Sequence, residues 1–260
     1  MAGTASCSPS STSSSLSDKL EATHVVRFDE VGSTLDVAHQ LAAAGADAGT
    51  LIVADAQTAG RGRLGRAWRS ERGAGIWLTL IERPREPSGL EVLSLRVGLV
   101  LAPALDAFAA GPVRLKWPND LYVGERKLGG VLIEARWREQ SLEWLAIGVG
   151  INLRPPAAEP NAVGLRDGVS REDVLAKIVA PIRAAAAHGG PLARDELAAF
   201  AARDMAVGRR CVEPMVGIVR GISPSGALRV EVALSGDNRP TLTEVRAGSL
   251  VLDGGEGGDR

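Results

Sequence analysis

The densest group of potentially reactive side chains is a loop rich in arginine and glycine. Residues 60–72 contain five Arg and one acid, Glu71, so the local charge is +4. Guanidinium groups bind phosphate and carboxylate oxygens through paired hydrogen bonds, and the interleaved glycines permit close backbone approach. In an extended chain, Arg61 and Arg63 would point the same way. The loop therefore predicts a site for an anionic ligand.

The same loop matches the glycine spacing of dinucleotide-binding proteins, but its sequence does not favour the helix that must follow. Gly60, Gly62 and Gly65 have the required spacing, but that pattern needs a helix that begins at the third glycine. Ser70 and Gly73 disfavour such a helix. A phosphate-binding P-loop is also excluded, because no Gly-Lys-Ser/Thr follows. A solvated arginine loop and a nucleic-acid-binding patch stay open as alternatives.

A second candidate region contains a lysine, in a chain where only four of the 30 Lys and Arg residues are Lys. Lys116 precedes Trp-Pro-Asn-Asp, and Pro118 must interrupt strand pairing there. Asn119 offers a donor and an acceptor to a base-like ring. Asp120 can orient an amine or hold Mg²⁺. The segment predicts a polar ligand contact, although Lys116 could instead be paired at a strand end.

Three further polar positions lie beside predicted strand and helix ends. Lys127 opens a strand through Lys-Leu-Gly-Gly, and paired glycines inside a strand usually mark close approach by a ligand or another chain. A surface lysine at a hairpin end is the alternative. Ser33 or Thr34 caps a predicted helix, whose N-terminus could present N–H groups to a polar ligand. Asn152, after Gly-Val-Gly-Ile, is predicted to cap or fix a loop.

Hydrophobic patterning predicts the elements that position these residues. The predicted strands are 24–28, 50–56, 76–82, 113–117, 120–123, 127–137 and 144–153. The predicted helices are 34–44, 91–110 with an interruption at Pro103, 170–188 and 191–205. Beyond residue 208, short β-branched runs alternate with turns, which is typical of a small barrel. The fold class is therefore α+β, with a main domain over 21–206, a barrel over 207–253 and disordered tails over 1–20 and 254–260.

Composition excludes several classes of protein. The net charge of −1 and pI near 6.3 exclude a uniformly basic nucleic-acid-binding surface. The sequence has neither an apolar run of about 18 residues, as a membrane span requires, nor a recognisable signal peptide. Cys7 and Cys211 form no disulfide framework or metal-type cluster. We expect a cytoplasmic protein.

Together the motifs resemble the biotin–protein ligase family. The resemblance is carried, in the family's order, by Ser33-Thr34, residues 57–68, Lys116–Leu121, Lys127–Leu132 and Gly148–Asn152. Residues 217–222 and 226–228 resemble its C-terminal SH3-like domain. The fold implied is a mixed β-sheet flanked by helices, like that of class II aminoacyl-tRNA synthetases, followed by a small SH3-like β-barrel.

The resemblance implies a two-step reaction with biotin, ATP and Mg²⁺. Biotin and ATP would give biotinyl-5′-AMP, and a lysine of a biotin carboxyl carrier protein domain of an acyl-CoA carboxylase would then accept the biotin. A lipoate– or octanoate–protein ligase of the same superfamily is the alternative. Its Arg-Arg/Gly-Gly signature is absent from this sequence.

The resemblance also assigns site residues. The biotin set is Ser33, Thr34, Leu35, Gln57, Gly60, Arg61, Gly62, Arg63, Lys127 and Gly130. The nucleotide set is Arg61, Arg63, Arg66, Trp68, Asn119, Lys127 and Asn152. The catalytic set is Lys127, Arg63 and Asp120. No metal ligand is assigned.

Two departures from the family pattern affect this assignment. Leu35 stands where the family often has a polar residue, so only its backbone could serve biotin. The segment Gly248–Asp253 lacks the arginine that commonly ends the family's barrel, which removes one expected ATP contact.

About 23 residues precede the catalytic pattern, too few for a helix-turn-helix, so we expect no specific DNA binding. We expect no membrane association, and a monomer or weak homodimer.

Overall fold

The computed structural model describes residues 20–84, 87–233 and 240–254. The predicted N-terminal tail lies outside these residues except for Leu20, which is buried in the core. Of the predicted C-terminal tail, only Gly254 is described. Within these residues we number strands β1–β12 and helices α1–α4 in chain order.

A seven-stranded mixed sheet forms the centre of the main domain. Its strands are β1 (His24–Val31), β2 (Thr50–Gln57), β3 (Gly75–Glu82), β4 (Val113–Lys116), β5 (Asp120–Val123), β6 (Arg126–Arg138) and β7 (Ser141–Asn152). The order is β1-β2-β3-β7-β6-β5-β4. β1 and β2 are parallel, and the other neighbours are antiparallel. The strand predictions are thus confirmed, with shifts of one to three residues at their ends.

Four helices pack on the two faces of this sheet. They are α1 (Thr34–Ala43), α2 (Leu93–Asp106), α3 (Arg171–Ala186) and α4 (Arg194–Arg203). Successive side chains of β3 point to opposite faces of the sheet. On one face, Ile76, Leu78 and Leu80 belong to the large core that includes α2 and α3. On the opposite face, Thr79 bonds to α1 and Ile81 packs with it.

Helix α2 differs from its prediction at Pro103. The sequence predicts an interruption there, yet the helix continues through Pro103 to Asp106. Proline removes one intrahelical hydrogen bond, normally at a substantial cost. Here Pro103 is exposed and only the last turn of the helix follows it, so the single lost bond, to the Leu99 carbonyl, does not end the helix.

The C-terminal region forms a second, antiparallel sheet. Its strands are β8 (Arg210–Glu213), β9 (Gly217–Ile222), β10 (Leu228–Val232), β11 (Thr241–Val245) and β12 (Val251–Leu252). In the order β11-β10-β9-β8-β12, β11 and β12 are the edges, so among the described residues this sheet does not close into a barrel. A run of short strands predicts the sheet, but closure also depends on strand tilt and stagger, which the pattern does not encode.

The second sheet is joined to the main domain by buried contacts. The buried Trp117 indole N–H donates to the carbonyl of Gly226, in the turn between β9 and β10, at 2.9 Å. In the segment that leads to β8, the Met205 amide donates to the Leu115 carbonyl at 3.0 Å. Val219 belongs to the same buried cluster as the main-domain core. This packing brings the end of the second sheet to the rim of the main domain's cavity.

Candidate active site

A cavity of about 760 Å³ lies beside the face of the main sheet on which α1 packs. A volume of this size suits a drug-sized or nucleotide-sized ligand. The cavity gathers nearly all of the predicted site residues, because its lining includes Ser33, Thr34, Leu35, Gln57, Arg61, Gly62, Arg63, Arg66, Trp68, Asn119, Asp120, Lys127, Gly130 and Asn152. Gly60, the remaining member, pairs with Trp68 through its carbonyl.

One end of the cavity is a buried polar network at the start of α1. The Thr34 amide and hydroxyl both donate to Gln57 Oε1, at 2.8 and 3.1 Å. Thr79 donates to the Thr34 hydroxyl at 2.8 Å, and Gln57 Nε2 donates to Ser70 at 2.7 Å. Ser33 is the N-cap and accepts from the Leu35 amide. These bonds fix each polar group in one orientation, as selective binding of a small polar ligand requires.

Glycines let the cavity reach the backbone of the sheet. A Cβ at Gly150 would lie 2.7 Å from Trp68 Nε1, and one at Gly148 would lie 3.3 Å from the Leu35 side chain. The Trp68 ring therefore lies directly on β7, and its edge-to-face contact with Trp77 has a centroid distance of 6.4 Å. A Cβ at Gly130 would lie 3.2 Å from Asp120 Oδ1. The pattern of glycines keeps room for a ligand and for the tryptophan above it.

The arginine loop folds back on itself over this cavity. Isolated bridges join Arg61 with Ala67 and Gln57 with Ser70. A single 3₁₀ turn lies at Arg63–Gly65, with Leu64 in the left-handed region at φ 56°. No helix begins at Gly65, so rejection of the dinucleotide pattern is confirmed.

Arg61 and Arg63 have different hydrogen-bond partners, although both line the cavity. Arg61 donates to Asp36 of α1 at 2.5 Å and to Glu134 of β6 at 3.2 Å. Arg63 instead donates to the Gly248 carbonyl beside the second sheet at 3.1 Å. The turn that begins at Arg63 breaks the extended geometry on which the prediction rested.

The two arginines differ in charge environment. Burial lowers the pKa of Arg61, but the hydrogen bond to Asp36 and the charges of Glu134 and Asp36 raise it above its ordinary value. Burial lowers the pKa of Arg63, and the charge of Arg66 lowers it further against the opposing charge of Asp120. Arg61 is already neutralised by two carboxylates, whereas Arg63 has, among the described residues, only the Gly248 carbonyl as a side-chain hydrogen-bond partner. Of the two, Arg63 is the better placed to receive an anion.

Lys127 and Asp120 form an ion pair on the cavity wall. Lys127 Nζ lies 2.8 Å from Asp120 Oδ1 and 5.2 Å from the centroid of the Trp68 ring. Nearby, Lys116 Nζ is 3.5 Å from the Tyr122 hydroxyl, and burial lowers the pKa of Lys116. Burial, with the charges of Asp120 and Glu125, raises the pKa of Tyr122. This wall can therefore place cationic groups next to a ligand anion.

The two candidate asparagines both hold backbone segments. Asn119 Nδ2 donates to the Val131 carbonyl at 2.8 Å. Asn152 is 3 % exposed, and its Nδ2 donates to the carbonyls of Lys127 and Val163 at 3.4 and 3.2 Å. Asn152 thus fixes a loop, as the sequence predicts.

Several cavity residues do not belong to the predicted site. They include Trp77, Glu159, Asn161, Arg209, Ser249 and Leu250. Arg209 pairs with Glu125 at 2.8 Å, and Glu159 pairs with Arg69 at 2.9 Å. Each of these contacts joins residues more than 80 positions apart, which local periodicity cannot predict. For Trp77, its place on the site face of β3 was a usable signal.

Two further features of the described residues concern metal binding and membrane association. Across residues 20–84, 87–233 and 240–254, no group of three or more His, Cys, Asp or Glu side chains could hold a metal ion. Among the helices described, none is long and apolar enough to cross a membrane.

Comparison with known proteins gives consistent matches. The model of the family described as "Biotin/lipoate A/B protein ligase family" matches residues 28–152. A biotin–[acetyl-CoA-carboxylase] ligase of Mycobacterium tuberculosis is 32 % identical over 222 residues, covering 78 % of this chain and 81 % of that protein. The bifunctional ligase/repressor BirA of Bacillus spizizenii is 40 % identical over 131 residues, covering 50 % of this chain and 40 % of BirA. This chain thus spans about two fifths of the length of that relative.

A solved structure extends the likeness to nearly the whole chain. The biotin protein ligase from Aquifex aeolicus, in complex with biotin and ATP, has a TM-score of 0.70 and 27 % sequence identity. The alignment covers 88 % of this chain and 98 % of that one. The mixed sheet and its flanking helices are therefore shared with that structure.

Proposed function

The chain belongs to the biotin/lipoate A/B protein ligase family, and we propose that it is a biotin–[biotin carboxyl-carrier protein] ligase. It activates biotin with ATP to biotinyl-5′-AMP and transfers the biotin to a lysine of a carrier domain. One observation carries the proposal: a single cavity joins a buried polar network to a cluster of cations. Biotin has a polar bicyclic head and a carboxylate, and ATP is a polyanion, so the pair needs both features.

Biotin occupies the end of the cavity formed by α1 and the glycine-containing strands. Ser33, Thr34 and Gln57 offer fixed donors and acceptors to its polar head. The Leu35 backbone and Gly130 line the same end. Gly60 and Gly62 let the loop backbone approach the ligand closely. In this arrangement Arg61 anchors the loop, because Asp36 and Glu134 already hold it.

The nucleotide occupies the neighbouring part of the cavity. Trp68 stacks on adenine, and Asn119 and Asn152 lie at its edge. Arg63 and Arg66 bind the phosphates, after leaving their present partners Gly248 and Ser249 in the segment between β11 and β12 of the second sheet. Their proximity supports the further proposal that this sheet is the counterpart of the family's SH3-like domain and contributes to nucleotide binding over residues 207–253.

Adenylate formation needs charge stabilisation more than proton transfer. A biotin carboxylate oxygen attacks the α-phosphorus of ATP, a new P–O bond forms, and the bond to the pyrophosphate oxygen breaks. Lys127 and Arg63 stabilise the crowded anionic oxygens. Mg²⁺ would be carried by the triphosphate, since the described residues offer no cluster of carboxylates for it.

Transfer to the carrier needs a group that receives the amine. The carrier lysine has an ordinary pKa of about 10.4, so its neutral form is scarce at pH 7. Asp120 attracts the ammonium group and accepts its proton as the amine attacks the mixed anhydride, which releases AMP. In the structure Asp120 pairs with Lys127 at 2.8 Å, so binding of adenylate phosphate by Lys127 would free Asp120 for this role.

Asp120→Asn separates this role from the alternatives, because it keeps the shape and removes the charge. We expect normal biotinyl-5′-AMP formation but transfer slowed by about 10²–10³, measured by single-turnover transfer from enzyme-bound adenylate. Lost adenylation with normal transfer would instead assign Asp120 to the metal–ATP complex. Two normal rates would leave only a structural role.

The choice of acid distinguishes the proposal from its alternative within the family. Relatives and the aligned structure are named for biotin, whereas a lipoate or octanoate ligase needs room for an apolar chain. The test is pyrophosphate release with Mg-ATP and either biotin, lipoate or octanoate. Release that depends on biotin supports the proposal, and release only with lipoate or octanoate would refute it.

The cellular setting follows as a proposal from the same chemistry. The partner is a biotin carboxyl carrier protein domain of an acyl-CoA carboxylase, reached in the cytoplasm. We expect a monomer or weak homodimer and no sequence-specific DNA complex, which sedimentation and a binding titration at physiological salt would test.

A further inference from the structure

A chain of hydrogen bonds behind the arginine loop ends on Arg61. We propose that Trp144, His39 and Glu134 form a positioning relay, which fixes Arg61 and through it the loop at the biotin end of the cavity. The inference rests on the proposed function only for the identity of the ligand. The relay itself is defined by contacts between α1, β6, β7 and the loop.

The contacts form one continuous line. Trp144 on β7 is 7 % exposed, and its Nε1 donates to His39 Nδ1 at 2.9 Å. His39 Nε2 lies 2.8 Å from Glu134 Oε2. The two oxygens of Glu134 accept from Arg61 Nη2 at 3.3 and 3.2 Å. Arg61 Nη1 donates to Asp36 Oδ1.

The hydrogen bond from Trp144 determines which ring nitrogen of His39 carries the proton. An indole N–H can only donate, so His39 Nδ1 must accept and cannot carry a proton. The proton of the neutral imidazole therefore lies on Nε2, from which it is donated to Glu134. Glu134 is thus held in one orientation by His39 while it binds Arg61.

Arg83 holds the Trp144 end of the relay. The Arg83 guanidinium lies 5.6 Å from the centroid of the Trp144 ring. Arg83 also donates to the Ala42 carbonyl at 2.7 Å and to the Glu143 carbonyl at 3.0 Å. Arg83 thus links Trp144 to the end of α1 and to the neighbouring residue of β7. This contact holds the indole ring, whose N–H then sets the orientation of His39.

Fixing Arg61 also fixes the residues that are proposed to close over the nucleotide. Arg61 bridges to Ala67 across the loop. On either side of that bridge, the Trp68 amide donates to the Gly60 carbonyl and the Gly62 amide donates to the Arg66 carbonyl, both at 2.8 Å. Loss of the Arg61 anchor would release both strands of the loop together.

Three variants test the relay. His39→Leu and Trp144→Phe each break it, while His39→Gln preserves it, because a glutamine oxygen can accept from Trp144 and its amide can donate to Glu134. The first readout is the rate of trypsin cleavage after the loop arginines in the protein without ligand. The second is KM for biotin against kcat.

We expect His39→Leu and Trp144→Phe to raise loop cleavage and the KM for biotin about five- to tenfold, as loss of one buried hydrogen bond implies. The kcat at saturating biotin should change little, and His39→Gln should resemble the unmodified chain. Equal cleavage in all variants, or His39→Gln behaving like His39→Leu, would overturn the relay.

Two further outcomes are decisive. Cleavage after Lys177 in α3 that rises in step with loop cleavage would indicate general loosening and overturn the relay. If the unmodified chain releases no pyrophosphate with biotin, the proposed function fails. The cleavage pattern then still decides the relay, since it needs no ligand.

Discussion

Lys127 shows how much chemistry one side chain can carry in this cavity. Its Nζ lies 2.8 Å from Asp120 and 5.2 Å above the Trp68 ring centroid, between the parts of the site proposed for biotin and nucleotide. The side chain is 34 % exposed. Because Lys127 already lines a cavity, its truncation opens no new void in the core; it removes a charge and leaves Asp120 without its ion-pair partner.

Replacement of Lys127 by alanine should slow biotin-dependent pyrophosphate release by about 10²–10³, the usual effect of losing one charge-assisted donor at a developing anion. The melting temperature should stay nearly unchanged. Lys177→Ala, at an exposed position on α3, is the matched control and should have full activity. Full activity in Lys127→Ala would remove Lys127 from the reaction.

Residue types and spacing predict which residues form most of the site, but not which partners their side chains bind. The motif residues are brought to one cavity, since most of them lie in the arginine loop or near the ends of strands and helices that the pattern identifies. The different partners of Arg61 and Arg63 could not be predicted, because they depend on a turn with a left-handed Leu64 and on residues of distant elements. The relay through His39 and Trp144 depends on tertiary packing in the same way.

At the scale of elements, strand β7 supports the nucleotide loop through its glycines. A Cβ at Gly150 would lie 2.7 Å from Trp68 Nε1 and 2.8 Å from Cε2, closer than van der Waals contact allows. The loop can move more easily than the central strand. The tryptophan would therefore be displaced from its place over the cavity.

Gly150→Ala should raise the KM for ATP about tenfold, as mild overpacking implies, and should affect the KM for biotin less. Initial-rate measurements with each substrate in turn would show this. Gly111→Ala is the control, because its added Cβ meets nothing nearer than Val123 at 3.7 Å. Equal effects of the two variants would contradict the proposed contact between Trp68 and the nucleotide.

The strands and helices, like the site residues, could be predicted only as far as local sequence determines them. The strands of the main sheet follow from β-branched and alternating patterns, and their predicted positions are confirmed. A closed barrel was predicted for the C-terminal region, but among the described residues β11 and β12 are the opposite edges of an open sheet. Pairing between neighbours in sequence is encoded locally, whereas closure requires a long-range contact.

At the scale of the whole molecule, a buried ion pair ties α2 to α4. Arg96 is 4 % exposed, and its Nε lies 2.6 Å from Glu196 Oε1. Arg96 also donates to the carbonyls of His188, Gly190 and Pro191. The hydrogen bond from Arg96 lowers the pKa of Glu196, against the opposing effect of burial.

This lowered pKa gives the pair a predictable pH dependence. The stabilisation is present above the unfolded-state pKa of Glu196 and is lost as the pH falls through the lower folded-state pKa. Glu196→Gln should reduce the free energy of unfolding by about 3 kcal/mol at pH 7, since it leaves Arg96 buried without its counter-charge. The difference from the unmodified chain should shrink as the pH falls below about 4.

Urea unfolding at several pH values measures this difference. Asp253→Asn is the control, because it breaks an exposed pair with Arg210, both of whose side chains are more than half exposed. Such pairs contribute little. Equal losses in the two variants at pH 7 would contradict the view that the Arg96 pair joins the helices.

The central claim is that one cavity activates biotin and presents it to a carrier lysine. The most direct measurement is mass spectrometry of a biotin carboxyl carrier protein domain after incubation with the chain, Mg-ATP and an equal mixture of biotin and lipoate. The account predicts a carrier that gains one biotinyl group on its acceptor lysine, only when ATP is present. A carrier that stays unmodified, or that gains lipoate in preference to biotin, would contradict it.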